Sequence, residues 1–433
     1  MPWLWTVLVA VNAATVLSAP IAITVFSADL HHGLVEDLKW IWSRMPEINV
    51  TWIDKSLSVY CHFADPPTCA SEIFKSTVLS FDDIIQNRPA GRDRFAQYFE
   101  TLMKQTPVDI VVCTHPMSGC QIYVPFADRV SIIAYQAVPL TAFLPTAREK
   151  NVFFREYMAW SKDPRHLLLV NNKYHQEQTF YETGYRPTYL RNVCAYTRHK
   201  SQPVSFEPHL RTILIGRKPS EASASARALQ GALERYKASA PCNYNIQFMD
   251  YHGHSGFSFL ENISAIVYYP YTVSLMSFFE YYYTDVPIFA PALPLAIQLD
   301  TNGTGMHMRL HDVALMDGHH TDLSNPGNMS SASLTHWLSL ADPYALPHVQ
   351  HFQSDEHLVQ LLCTVQLTPI SRRMRTENDR ELQRIRTFWT KFMSTTFSIK
   401  KPKLNKRGSY GTCCRGLRKY TTRTLLASIL LFF

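Results

Sequence analysis

The chain has 433 residues, 46% hydrophobic and 18% charged, enough apolar material for two cores and far from the make-up of a disordered protein. Its formal charge of +7 is an end effect. Residues 399–433 hold Lys400, Lys401, Lys403, Lys406, Arg407, Arg415, Arg418, Lys419 and Arg423 and no acid, leaving the body at −2, which excludes a nucleic-acid surface spread over the whole protein. No GxGxxG or GxxxxGK[ST] occurs, which excludes a glycine-rich phosphate loop.

Residues 1–19, uncharged and apolar with small residues at Ser18 and Ala19, read as a signal peptide or signal anchor, with a buried N-terminal helix as the alternative. Sequons at Asn49, Asn262, Asn302 and Asn328 agree with a glycoprotein on the secretory route, in the Golgi or ER lumen or secreted. Nine cysteines without CxxC spacing give no zinc site. In an oxidising lumen Cys61–Cys69 and Cys113–Cys120 are candidate disulfides, with buried thiols as the alternative. Cys413 and Cys414 suit palmitoylation only if the basic tail lies at a cytoplasmic membrane face.

Short β-branched runs then alternate with helical stretches. IAITVF (21–26) precedes a helix from about Leu34 to Arg44. A helical segment around Phe95–Lys104 leads into VDIVVCT (108–114), followed by SIIAYQ (131–136) and HLLLVNN (166–172). A linker-like stretch, Tyr196–Pro208, separates these from TILIG (212–216), a helix-forming SEASASARALQGALERYKAS, NIQFM (245–249), SAIVYY (264–269) and VPIFAP (286–291). Such alternation predicts α/β architecture: two Rossmann-like domains facing a central cleft, at 20–204 and 205–350. Loops with short elements are expected over 292–350, closing helices over 351–398, and a basic tail over 399–433.

In open parallel sheets, ligands gather beyond the carboxyl ends of strands. After the first run stand Asp29, His31 and His32, a general base with its orienting carboxylate or, alternatively, an ordinary helix start. After TILIG, Arg217 and Lys218 suit a diphosphate or simply a solvated turn. After SAIVYY, PYTVSLMSFFE (270–280) sets Tyr271, Ser274, Ser277 and Glu280 before more aromatics. Ser277 and Glu280 have capping-box spacing. A helix starting at Thr272 or Ser274 would instead put Ser274, Ser277 and Tyr281 on one face, with Glu280 near it, where a carboxylate among aromatics is costly unless a ligand meets it.

This P-Y-x-x-S-x-M-S-x-x-E segment, followed by a strand that begins with proline, resembles the donor-binding segment of GT-B-fold nucleotide-sugar-dependent glycosyltransferases. Together with LLVNNKYHQEQTFYETGYRPTYLRNVCAYT (168–197) and SADLHHGLVEDLKWI (27–41), it is similar to a divergent eukaryotic and large-virus group of poorly defined activity. The resemblance spans roughly residues 20–395. It implies that Glu280 holds the donor ribose, that Ser274 and Ser277 lie near the phosphates or sugar, and that Arg217 and Lys218 hold the diphosphate. His31 takes the position of the base in inverting members, with Asp29 beside it. The upstream glutamate of retaining members is replaced by Thr272 and the glycine-rich turns of many members are missing, which points to inversion or to a divergent activity, and no DxD occurs, which implies no obligatory metal or other cofactor. The implied partners are a nucleoside diphosphate sugar and a glycan, glycoprotein or glycolipid acceptor, with the N-terminal segment as a membrane tether. A non-catalytic glycan- or nucleotide-sugar-binding protein on the same scaffold is the competing expectation.

Overall fold

The structure, a computed structural model, describes residues 20–29, 32–56, 89–198, 211–215, 231, 234–235, 244–248, 257–270, 272–301 and 313–397. Two parallel sheets organise it. The first contains β1 (Ile21–Ser27), β2 (Ile48–Asp54), β3 (Ile110–Cys113), β4 (Ser131–Gln136), β5 (Leu167–Val170) and β6 (Thr188–Tyr189), in the order β2-β1-β3-β4-β5-β6. The second contains β7 (Arg211–Ile215), β8 (Tyr244–Phe248), β9 (Ala265–Val267), β10 (Ile288–Pro291) and β11 (Gln350–Phe352), in the order β11-β10-β9-β7-β8. Read from its own first strand, the first sheet runs 2-1-3-4-5-6 and the second 2-1-3-4-5, the doubly wound order whose reversal lies between the first and third strands. This is the α/β architecture expected from the sequence.

Central strands β3 and β4 are buried along their whole length, so they show as unbroken apolar runs. Edge strand β2 is half exposed and alternates weakly, and it escapes the pattern. Beside the first sheet lie α1 (His32–Trp42), α2 (Pro89–Gln105), α3 (Ala147–Trp160), α4 (Lys173–Thr183) and the single turn α5 (Ala195–Arg198). The second half adds α6 (Met276–Tyr283), α7 (Leu293–Thr301), α8 (Ser331–Ser339), the short α9 (Asp342–Ala345) and α10 (Asp355–Thr364).

The closing helix α11 (Leu367–Phe397) has 31 residues and serves both halves. Ile370 and Met374 enter the core around β9 and β10, while Ile385, Trp389 and Met393 pack with Ile23, Val25 and Trp42 of the first half. Trp389 meets Trp42 edge-on, ring centroids 5.0 Å apart.

Cys113 and Cys120 are disulfide-bonded, with Cα atoms 5.6 Å apart. Cys61 and Cys69 lie outside the described residues. Among the sequons, Asn49, Asn262 and Asn328 are exposed. No described helix is long and apolar enough to cross a membrane.

Candidate functional site

At the reversal point of the first sheet, Asp29 follows β1 and is 2% exposed. Its carboxylate accepts the backbone N–H groups of Thr114 and His115, the latter at 3.0 Å, so it ties the end of β1 to the end of β3. Its own N–H donates to Ser56 Oγ at 3.1 Å. His32 opens α1, but its side chain, like His31, Arg217, Lys218 and Tyr271, lies outside the described residues.

In the second half, α6 begins at Met276, later than the expected start at Thr272 or Ser274. Leu275 is its N-cap and no side chain caps it, so Glu280 is not the glutamate of a capping box. Ser274 precedes the helix and hydrogen-bonds the buried Asp342, which also takes the Leu275 N–H. Ser274 and Ser277 therefore do not share a helical face. Ser277 is half-buried.

Glu280 is half-buried, and the partner that sequence reasoning missed is Tyr196 of α5, whose hydroxyl donates to Glu280 Oε1 at 2.6 Å. No spacing in the sequence relates two residues 84 apart. Burial pushes the Glu280 carboxyl up to about 7, against the Tyr196 hydrogen bond and with a further push from the Asp37 charge. Oε2 has no hydrogen bond from the described residues, and a hydroxyl donor could meet it.

Asp37, on α1, accepts from the backbone N–H groups of Val193 at 3.1 Å and Ala195 at 2.9 Å, which caps the start of α5 from a distance. Burial raises it to about 6, against those hydrogen bonds. Beyond α6, Asp285 is 1% exposed and sits at φ 65°. It takes Arg198 Nη2 at 2.9 Å, Arg375 Nε at 2.9 Å and Asn378 Nδ2 at 3.0 Å. One carboxylate thus joins the end of the first half, the helix carrying Glu280 and the closing helix.

A second polar group is larger and was not singled out as a site from the sequence. Gln136 ends β4, Asn171 and Asn172 follow β5, and His175, Gln178, Thr179 and Glu182 lie on α4. None of the seven is more than 2% exposed. The i, i+3, i+4, i+7 spacing of the four helical residues puts them on one face, and that spacing was readable. Thr179 Oγ1 donates to Gln136 Oε1 at 3.0 Å, which fixes this face to the sheet. Asn172 caps the helix by accepting the His175 N–H at 2.7 Å. Among the described residues no group of three or more His, Cys, Asp or Glu is placed to hold a metal ion.

No protein-family model and no curated protein sequence matches the chain. Among solved structures it is similar to the glycosyltransferase of kitacinnamycin, at 10% identity and a TM-score of 0.41, covering 87% of this chain and 99% of that one. Glycosyltransferase VinC in complex with DTDP aligns at 9% identity and a TM-score of 0.38, covering 84% and 99%. A UDP-N-acetylglucosamine 2-epimerase aligns at 11% identity and a TM-score of 0.38, covering 88% and 97%. No residue role follows from these likenesses.

Proposed function

We propose that this chain is a glycosyltransferase that moves a sugar from a nucleoside diphosphate donor to a glycan, protein or lipid acceptor, without a metal and with inversion. The observation that carries the reading is Glu280. It stands on the helix after β9, near the carboxyl edge of a parallel sheet, with one oxygen held by Tyr196 and the other open to a ribose hydroxyl. In this reading the acceptor oxygen attacks the anomeric carbon while His31, or His32, takes its proton. The bond from that carbon to the diphosphate breaks, and Arg217 and Lys218 receive the charge on the leaving group. The acceptor side falls in the first half, and the reaction takes place in the secretory pathway behind a signal or membrane anchor.

The second reading, a glycan- or nucleotide-sugar-binding protein without turnover, is favoured by the Tyr196–Glu280 hydrogen bond, because a carboxylate already partnered inside the protein can be purely structural. UDP and GDP at millimolar concentration are expected to raise the melting temperature of the full chain, and Glu280→Ala to abolish the shift. Unchanged binding in Glu280→Ala removes Glu280 from the donor site. Donor hydrolysis across a set of nucleotide sugars separates the two readings.

A further inference from the structure

Four non-glycine residues among those described hold a positive φ: Phe143, Cys194, Asp285 and His348. Cys194 and Asp285 are buried and His348 is half-buried, whereas Phe143, at φ 71°, is 38% exposed. A residue with a Cβ enters the left-handed region at a cost that glycine does not bear, and such outliers gather where function requires them. With Leu315 and Met329, Phe143 is also one of the large hydrophobic side chains left exposed among the described residues, and it is the aromatic one.

The turn that carries this ring is anchored by its neighbours. Phe143 lies in the segment after β4, where Leu140 and Leu144 enter the core with Met117, Phe153 and Phe154, and Ala142 is buried as well. Ala142 N–H donates to Pro139 O at 3.0 Å and Leu144 N–H to Thr141 O at 3.1 Å. The Phe143 ring meets the His115 ring edge-on, centroids 5.7 Å apart. His115 follows β3 and is half-buried, and its backbone N–H is held by Asp29 after β1. Strands β1, β3 and β4 are adjacent and parallel. Asp29, His115 and Phe143 therefore stand in a row beyond the carboxyl ends of three neighbouring strands, beginning at the reversal point where ligands of such sheets gather.

We propose that Phe143 is a stacking platform for one pyranose unit of a glycan, with the His115 imidazole beside it meeting the sugar hydroxyls. This rests on the function proposed above and narrows its acceptor from glycan, protein or lipid to a glycan seated on the first half. A pyranose carries C–H groups on one face and hydroxyls around its rim. The C–H face covers an aromatic ring and removes apolar surface from water, while the rim exchanges hydrogen bonds with an imidazole nitrogen. An acyl chain would need a continuous apolar patch, and the exposed residues that follow include the polar Thr146 and Arg148. A single outward ring on an anchored turn fits one sugar unit. None of the donor residues belongs to this platform, so the two can be tested apart.

The test uses the full chain with cellobiose, lactose, mannobiose and chitobiose as probes and UDP as the control, read by calorimetric titration and thermal shift. At least one disaccharide is expected to bind without nucleotide. Phe143→Gly removes the ring and suits the left-handed backbone. It is expected to weaken that disaccharide about tenfold or more while leaving the UDP shift in place. Phe143→Tyr keeps the ring and should hold the affinity within about threefold. Phe143→Asn, which tolerates the same conformation, serves if Phe143→Gly does not fold. A ring needed only for packing would lower the melting temperature of Phe143→Gly and leave disaccharide affinity unchanged, and that result overturns the platform. Equal losses in Phe143→Tyr and Phe143→Gly overturn it too. Absence of disaccharide binding alongside an intact UDP shift overturns it and leaves the donor reading standing. Disaccharide binding that depends on the Phe143 ring, without any UDP shift, supports the platform and removes the donor.

Discussion

Two helices of similar length, α4 and α6, treat their polar groups in opposite ways. On α6, MSFFEYYY, a single carboxylate stands among aromatics and has a short hydrogen bond from Tyr196, with Asp285 just beyond holding two arginines and an asparagine. On α4, KYHQEQTFYET, a whole polar face is buried, and several of its atoms, both ring nitrogens of His175 among them, have no hydrogen-bond partner among the described residues. Conspicuous composition accompanies an internally satisfied interface, and unremarkable composition accompanies the unsatisfied surface. A buried group with its partner in place stabilises the fold, whereas one left without a partner costs stability.

Three substitutions sharpen or break this contrast. The largest effect is expected at Asp285→Asn, which keeps the shape and tolerance of the left-handed conformation but strips the charge from Arg198 and Arg375. Both arginines reach solvent, so the loss is discounted to about 2 kcal/mol, read by urea denaturation. A change within error would mean that the network is incidental to the junction.

Tyr196→Phe comes next. It leaves Glu280 Oε1 without its donor and should destabilise by about 1 kcal/mol. The carboxyl should then titrate above its present value of about 7, a shift readable by NMR. An unmoved carboxyl would show that the hydroxyl does not set its proton affinity.

The third effect belongs to α4 and shows only as a dependence on pH. Glu182 has its ordinary 4.5 raised to about 8, so the folded state binds the proton more tightly than the unfolded state. Its contribution is full below about 4.5 and is lost as pH rises through about 8. Glu182→Gln removes that term, and its stability should fall less between pH 6 and 9, by about 2–3 kcal/mol at roughly 1.4 kcal/mol per pH unit up to about pH 8. Identical slopes in the two proteins would mean that Glu182 is charged or exposed in solution.

Much of the scaffold was legible. The strands β1, β3, β4, β5, β7, β9 and β10 coincide with apolar, largely β-branched runs, because a strand covered on both faces must be apolar throughout, and edge strand β8 is read from its shorter run NIQFM. Strand β2, the two-residue β6 and the three-residue β11 were not, since edge strands and short strands supply too little pattern. The closing segment from Ser354 reads as helix, and it is divided in two at Val365–Gln366. Of the site, Glu280 stood out by being a charge among rings, but its partner Tyr196 did not, because tertiary contact between distant residues leaves no periodicity. The four α4 positions shared a face in plain view. A polar face reads as solvent-facing, and only the fold shows it turned inward.

The closing helix has a further consequence, one of timing. Ile23 and Val25 of the first strand share a core with Ile385, Trp389 and Met393 near the end of the described chain. Synthesis at about 5–20 residues per second separates these two sets by tens of seconds. The half made first therefore waits, with part of its apolar surface uncovered, for the closing helix made much later. Emergence of the closing helix, rather than of the first sheet, sets when that half is complete, and a chain stalled before Ile385 would expose the Trp42 face to chaperones.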